Sequence, residues 1–273
     1  MLHFFPAIAF VLYLGSSFTF LVAIFRDEAS RLPRVAQSSA QAAFVFHTAS
    51  IGVLFAYSGS LLETMLGNYF YFLAWGIAVT YIFFRKKLEY PILGVMITAA
   101  VALFMLSSSF LVHFVSVPAA DHLSKALVGV HVVPAIAAEV CLVLCFIVSL
   151  IYLIQEDRLK TRSQIGFALR GPSLSSLKNL QFNFLLVGFV CMSAAILTGC
   201  VWAWSSHKSL LSKDLLQWVA FATWGLLGYL LHLRLSLGLT AKRVSQISLC
   251  AGGLALLAFL LVRLISFAGA HGV

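Results

Sequence analysis

The chain has 273 residues, of which 62% are hydrophobic and only 10% charged. That composition excludes an ordinary soluble domain, in which about 25% of residues are charged. A formal charge of +9 would point to nucleic acid in a soluble protein, but here the basic residues follow a topological pattern and form no groove.

A hydrocarbon core about 30 Å thick takes about 20 apolar residues per helix. Apolar runs over 3–25, 38–58, 69–84, 91–113, 126–154, 181–203, 215–233 and 246–268 therefore predict about eight transmembrane helices. The fold class is all-α, a polytopic integral membrane helix bundle, with a single transmembrane domain over 1–273. The first run has no positive segment ahead of it and Arg26, Arg31 and Arg34 behind it, so a retained span is expected and not a cleaved signal.

Every second gap between runs is basic. Arg26, Arg31 and Arg34, then Arg85, Lys86 and Lys87, then Arg158, Lys160, Arg162, Arg170 and Lys178, then Arg234, Lys242 and Arg243 make 14 of the 18 Lys and Arg. The alternate gaps hold only Lys125, Lys208 and Lys213. Positive residues near span ends stay on the cytoplasmic side, so both termini are expected outside, in the cell inner (plasma) membrane. Anionic membrane lipid accounts for the basic loops. No aromatic-interleaved basic groove is present, so no nucleic acid partner is expected. The longest polar gap, about 155–180, is too short to bury a core of its own.

Cys141, Cys145, Cys191, Cys200 and Cys250 all lie in apolar runs, and no C-x-x-C-H motif would attach haem covalently to this chain. Cys141 and Cys145 share a helix face and read as small packing residues.

Ionisable groups inside spans are costly and are functional candidates by default. His47, Glu139, His232, Arg263 and, in the outer part of the fifth run, His131 are such groups. At about 1.5 Å per residue, His47 and Glu139 both fall about 16–20 Å deep, near the midplane, and are expected to pair. Two readings of that pair stand: a hydrogen-bonded lock between helices, and a ligand or proton site at mid-depth. His131 precedes Pro134 by three residues, and a proline inside a helix frees a carbonyl and bends the axis. The kink suits a site open to the outside, or packing alone. Arg263, near the outer end of the last run, can snorkel to headgroups, pair with a haem propionate, or meet an outer carboxylate such as Asp214.

Six of the eight histidines, His3, His113, His122, His131, His207 and His271, map to the outer third or outer loops. Imidazole ligates haem iron, zinc and copper. The absence of H-E-x-x-H and of a Cys-plus-His cluster argues against a zinc hydrolase. A bis-imidazole haem site fits better, because it needs only two His from different helices and an apolar, aromatic-lined pocket.

Two stretches carry a family likeness. The first comprises Val130-His131, then Ser149-Leu-Ile-Tyr-Leu-Ile-Gln-Glu-Asp-Arg-Leu-Lys160, then Gly171-Pro-Ser-Leu-Ser-Ser-Leu-Lys-Asn-Leu180. The second is Leu197-Thr-Gly-Cys-Val-Trp-Ala203, followed by Asp214, Trp218, Trp224 and Gly228-Tyr-Leu-Leu-His232-Leu-Arg234. With the eight-run layout, this resembles the cytochrome c assembly family, the CcsA, CcmC and HemX/YpjD group. The likeness covers most of the chain and is best marked over about 128–273. It implies that His131 and His271 are the outward-facing ligands of haem iron. It also implies that His232 belongs to an inner haem-binding position, and that the cofactor is haem b. Full haem-handling members carry an external W-G-x-x-W-x-W-D segment. Here the loop runs from Trp202-Ala-Trp204 to Asp214 and keeps only the terminal Asp in register. This places the chain nearer the HemX/YpjD branch, with Trp202 and Trp204 as lid or as aromatic-belt residues.

The first function this implies is non-enzymatic haem handling in cytochrome c maturation, in which any ligation chemistry needs a partner such as another cytochrome c assembly protein. The second is a HemX-type regulator or scaffold acting on glutamyl-tRNA reductase abundance, with 155–180 as its partner surface and Pro172–Leu180 as a short interfacial helix. A small-molecule transporter ranks last, since no corresponding halves with broken helices are seen.

Overall fold

The computed structural model describes residues 4–26, 31–58, 68–84, 88, 90–111, 122–160, 171–207, 215–236, 238 and 240–270, with backbone alone at 58, 110–111, 122–128, 206–207, 216 and 259–270. These residues form eight helices and no strand: α1 Phe4–Ile24, α2 Leu32–Ser58, α3 Tyr69–Phe83, α4 Pro91–Leu111, α5 His122–Lys160, α6 Leu174–His207, α7 Leu215–Ser236 and α8 Ala241–Ala270. Five stretches, Phe4–Ile24, Leu32–Tyr57, Pro91–Ser109, Gly129–Lys160 and Leu174–Ser205, are long and apolar enough to cross a membrane, and Tyr69–Phe83 is a shorter apolar helix. Val11, Phe18, Val45, Leu103, Val190 and Leu197 are all more than half exposed. Large apolar side chains turned outward on helix after helix are what a lipid-facing surface requires. The protein is an all-α membrane helix bundle.

Four helices run past their apolar cores. α2 begins at Leu32, α5 continues to Lys160, α6 begins at Leu174 and α8 begins at Ala241, each about a turn or more beyond the expected run. Hydropathy detects only the apolar part of a helix, whereas polar helix formers and caps extend it. At the end of α5, Lys160 donates to Glu156 one turn back, at 2.7 Å. At the start of α6, the Ser176 backbone N–H donates to Ser173 Oγ at 3.1 Å, an N-cap. The stretch Pro172–Leu180 is thus not the separate interfacial helix expected. It is the cap and first two turns of α6, anchored by buried Pro172 and Leu177. Gly171 lies where a Cβ would come within 2.8 Å of the Gln155 side chain.

The helices form two compact units, residues 1–113 with 154–176 and residues 114–153 with 177–273, so that α5 and α6 contribute to both. In the first unit α1 packs on α2 and α4, and α3 on α4. Ala9, Ala36, Ala40 and Ala43 are fully buried, and small residues let backbones approach closely. Ser16 Oγ donates to Ala36 O at 2.8 Å, and Ser39 Oγ to Leu12 O at 3.0 Å. Gly94 on α4 seats the Phe20 ring, which a Cβ would meet at 2.7 Å.

In the second unit the core comprises Ala138, Leu142 and Cys145 of α5, Leu185 and Met192 of α6, Leu227, Leu230 and Leu231 of α7, and Ala251 of α8. Cys141 and Cys145 are buried free thiols. The Trp224 indole donates to Ser193 Oγ at 2.8 Å and stacks on Phe189.

Candidate functional site

His131 lies on α5 in the second unit and is half-buried. Val132 and Ile136 beside it are buried, while Val130 and Val133 are exposed. Pro134 stands inside the same helix. It has no N–H to give the carbonyl of Val130, so the backbone around His131 lacks one helical hydrogen bond.

The imidazole reaches α6. Its Nδ1 lies 2.8 Å from the Ala195 carbonyl oxygen, and Ala195 is buried. One turn further along α6, Gly199 leaves room for the ring: a Cβ there would lie 3.0 Å from Cε1 and Nδ1 and 3.8 Å from Nε2. Thr198 Oγ1 donates to Ala194 O at 2.7 Å and to Ala195 O at 3.0 Å. Gly199 of the Leu197-Thr198-Gly199 motif thus lies directly against the candidate ligand. Sequence reading noted the motif but missed this contact, because residues 64 or more apart show no mutual spacing.

The other expected site residues are placed only in part. His271 and Asp214 lie outside the described residues. Arg263 is in α8, with only its backbone described. Trp202 is half-buried and Trp204 exposed near the end of α6. His232 is exposed on α7 in the same unit as His131, and its Nδ1 lies 3.2 Å from Ser236 Oγ. Among the described residues, no group of three or more His, Cys, Asp or Glu is arranged to hold a metal ion.

His47 and Glu139 belong to different units. His47 is fully buried, and neither ring nitrogen has a hydrogen-bond partner among the described residues. The rings of Tyr71 and Tyr13 pack against His47, with centroids at 4.3 and 6.0 Å. Tyr71 is in turn hydrogen-bonded to Ser50. Glu139 is half-buried and has interactions of its own.

A second polar assembly was not anticipated. The Gln181 amide of α6 is buried and donates to Ser149 of α5 at 2.7 Å and to Ser245 of α8 at 3.0 Å. Its oxygen accepts from Arg234 of α7 at 3.5 Å. Arg234 also donates to Lys178 O at 2.7 Å and lies over the Phe182 ring. Gln181, Ser149 and Ser245 each sit near the expected inner end of a run, a faint signal that was available in the sequence.

Residues 63–268 match the model of a family described as Cytochrome C assembly protein. The cytochrome c biogenesis protein CcsA of Prochlorococcus marinus (strain MIT 9312) is 26% identical over 211 residues, covering 68% of this chain and 67% of that protein. The protein of the same name from Porphyra purpurea is 25% identical over 224 residues, covering 67% of this chain and 68% of its own.

Proposed function

Because the chain belongs to the cytochrome c assembly protein family, we propose that it is a multi-pass membrane protein serving cytochrome c maturation, and that it handles haem through His131. The observation that carries this reading is the seating of His131. One ring nitrogen is engaged by a backbone carbonyl, and the other makes no hydrogen bond among the described residues. A half-buried imidazole held by one nitrogen fits the donor chemistry of haem iron. His271 would supply the second ligand and Arg263 a charge for a propionate, with Trp202, Trp204 and Asp214 beside them and His232 at an inner position. Bound haem b would supply the iron and the redox couple. The chain's own residues would ligate and orient it without carrying out thioether formation, which would fall to a partner in the assembly system. The plasma membrane, with both termini outside, is the location that goes with this reading.

An absorption spectrum of the purified protein tests it. A low-spin Soret band is expected, reduced in His131→Ala and in His271→Ala. Unchanged haem content in both variants removes the site.

The degenerate tryptophan segment favours a second reading, a HemX-type regulator or scaffold of tetrapyrrole synthesis acting on glutamyl-tRNA reductase. The relatives named above carry the CcsA name, so this placement rests on the segment alone. Substitutions at Arg158 and Lys160 that change the captured partners while haem content stays constant would support it.

A further inference from the structure

We infer that Ala195–Gly199 of α6 is a seat that fixes the tautomer and aim of His131, with Gly199 as its positioning residue. The inference rests on the haem reading only for what His131 then ligates. A carbonyl oxygen can only accept, so the ring nitrogen 2.8 Å from Ala195 O carries the proton. A neutral imidazole has a single N–H, so Nε2 keeps its lone pair and is the ligating nitrogen. Histidines that bind metals are commonly oriented in this way, through a hydrogen bond from the other nitrogen.

Gly199 makes the arrangement possible. Ala195 and Gly199 are four apart and share one face of α6. The space left at Gly199 lies against Cε1 and Nδ1, the seated edge of the ring, and 0.8 Å further from Nε2 (3.0 against 3.8 Å). A methyl group there crowds the edge of the ring that meets the carbonyl more than it crowds the ligating nitrogen, so the ring must give by a few tenths of an ångström on its hydrogen-bonded side. Pro134 inside α5 lies three residues from His131 and removes one hydrogen bond from that helix, where the neighbouring helix contributes to positioning the ring. The glycine of the L-x-G motif is thus explained by the room it leaves for an imidazole from another helix.

The test uses full-length protein in micelles, labelled with 15N-histidine and free of haem, and then titrated with haemin. The His131 resonance, identified by its loss in His131→Gln, is expected to report the Nδ1–H tautomer. In Gly199→Ala that tautomer should be lost and haemin should bind about 10- to 100-fold more weakly. Alanine is the better helix former, so α6 itself should survive, and the wild-type tautomer is informative whatever the yield of the variant. An Nε2–H tautomer in the wild-type protein, a Gly199→Ala protein with the wild-type tautomer, or, where the wild-type protein binds haemin, a Gly199→Ala protein with wild-type haemin affinity overturns the seat. An Nδ1–H tautomer that Gly199→Ala abolishes, in a protein that never binds haemin, sustains the seat and removes the haem reading alone.

Discussion

The side-chain amide of Gln181 donates to the hydroxyl of Ser149 across 2.7 Å. Through its second N–H and its oxygen the same amide also holds Ser245 and Arg234, so one buried residue ties α6 to α5, α7 and α8. The Ser149 hydroxyl in turn donates to Cys145 O at 2.7 Å. Side-chain hydrogen bonds within membranes average about 0.6 kcal/mol each, and leaving partners unsatisfied adds to the loss. Gln181→Ala should therefore destabilise the second unit by about 2 kcal/mol, measured as reduced resistance to denaturation in micelles. Wild-type resistance would show that the amide contributes nothing net.

Gly94 and Gly52 should respond oppositely to alanine. A Cβ at Gly94 meets the Phe20 ring at 2.7 Å, whereas at Gly52 nothing lies within 4 Å. Gly94→Ala forces the ring or helix to shift and should cost about 1–3 kcal/mol. Gly52→Ala meets no neighbour and should raise stability by up to about 1 kcal/mol through helix propensity. Thermal unfolding of the two variants side by side checks the contrast.

Tyr13 and Tyr71 flank His47 on opposite terms. The Tyr13 hydroxyl is buried without a hydrogen-bond partner among the described residues, and that of Tyr71 is bonded to Ser50. Removing an unsatisfied group relieves a penalty, and removing a bonded one creates it. Tyr13→Phe should be neutral or stabilising by up to about 1 kcal/mol, while Tyr71→Phe should cost about 1 kcal/mol. Equal losses in both would mean that the Tyr13 hydroxyl has a partner in the membrane.

Ser173 caps α6 through the Ser176 N–H. Ser173→Ala should cost about 1 kcal/mol. Amide exchange should rise over Leu174–Leu177 and stay unchanged in the middle of α6.

Much of the architecture was legible in the sequence because a bilayer imposes a length on each apolar run. Five stretches meet the length and apolarity that crossing demands, and eight helices fall where the runs lie. The ends of α2, α5 and α6 were less legible, since hydropathy stops where apolarity does, although Ser173 is a recognisable cap. His131 was identifiable from its residue type and its place beside Pro134. The aromatic surroundings of His47 were not legible, since Tyr13 and Tyr71 lie 34 and 24 residues away from it in the sequence.

Composition and run length were enough to determine a helical membrane bundle, because these properties are local and periodic. Tertiary structure alone decided what each polar side chain touches. Ala195 and Gly199 lie more than sixty residues from His131, yet they hold its ring. Tyr13 and Tyr71 surround His47, and Gln181 gathers three other helices. Such contacts depend on the rotation and close approach of helices, set by small residues that no periodic pattern assigns to a partner.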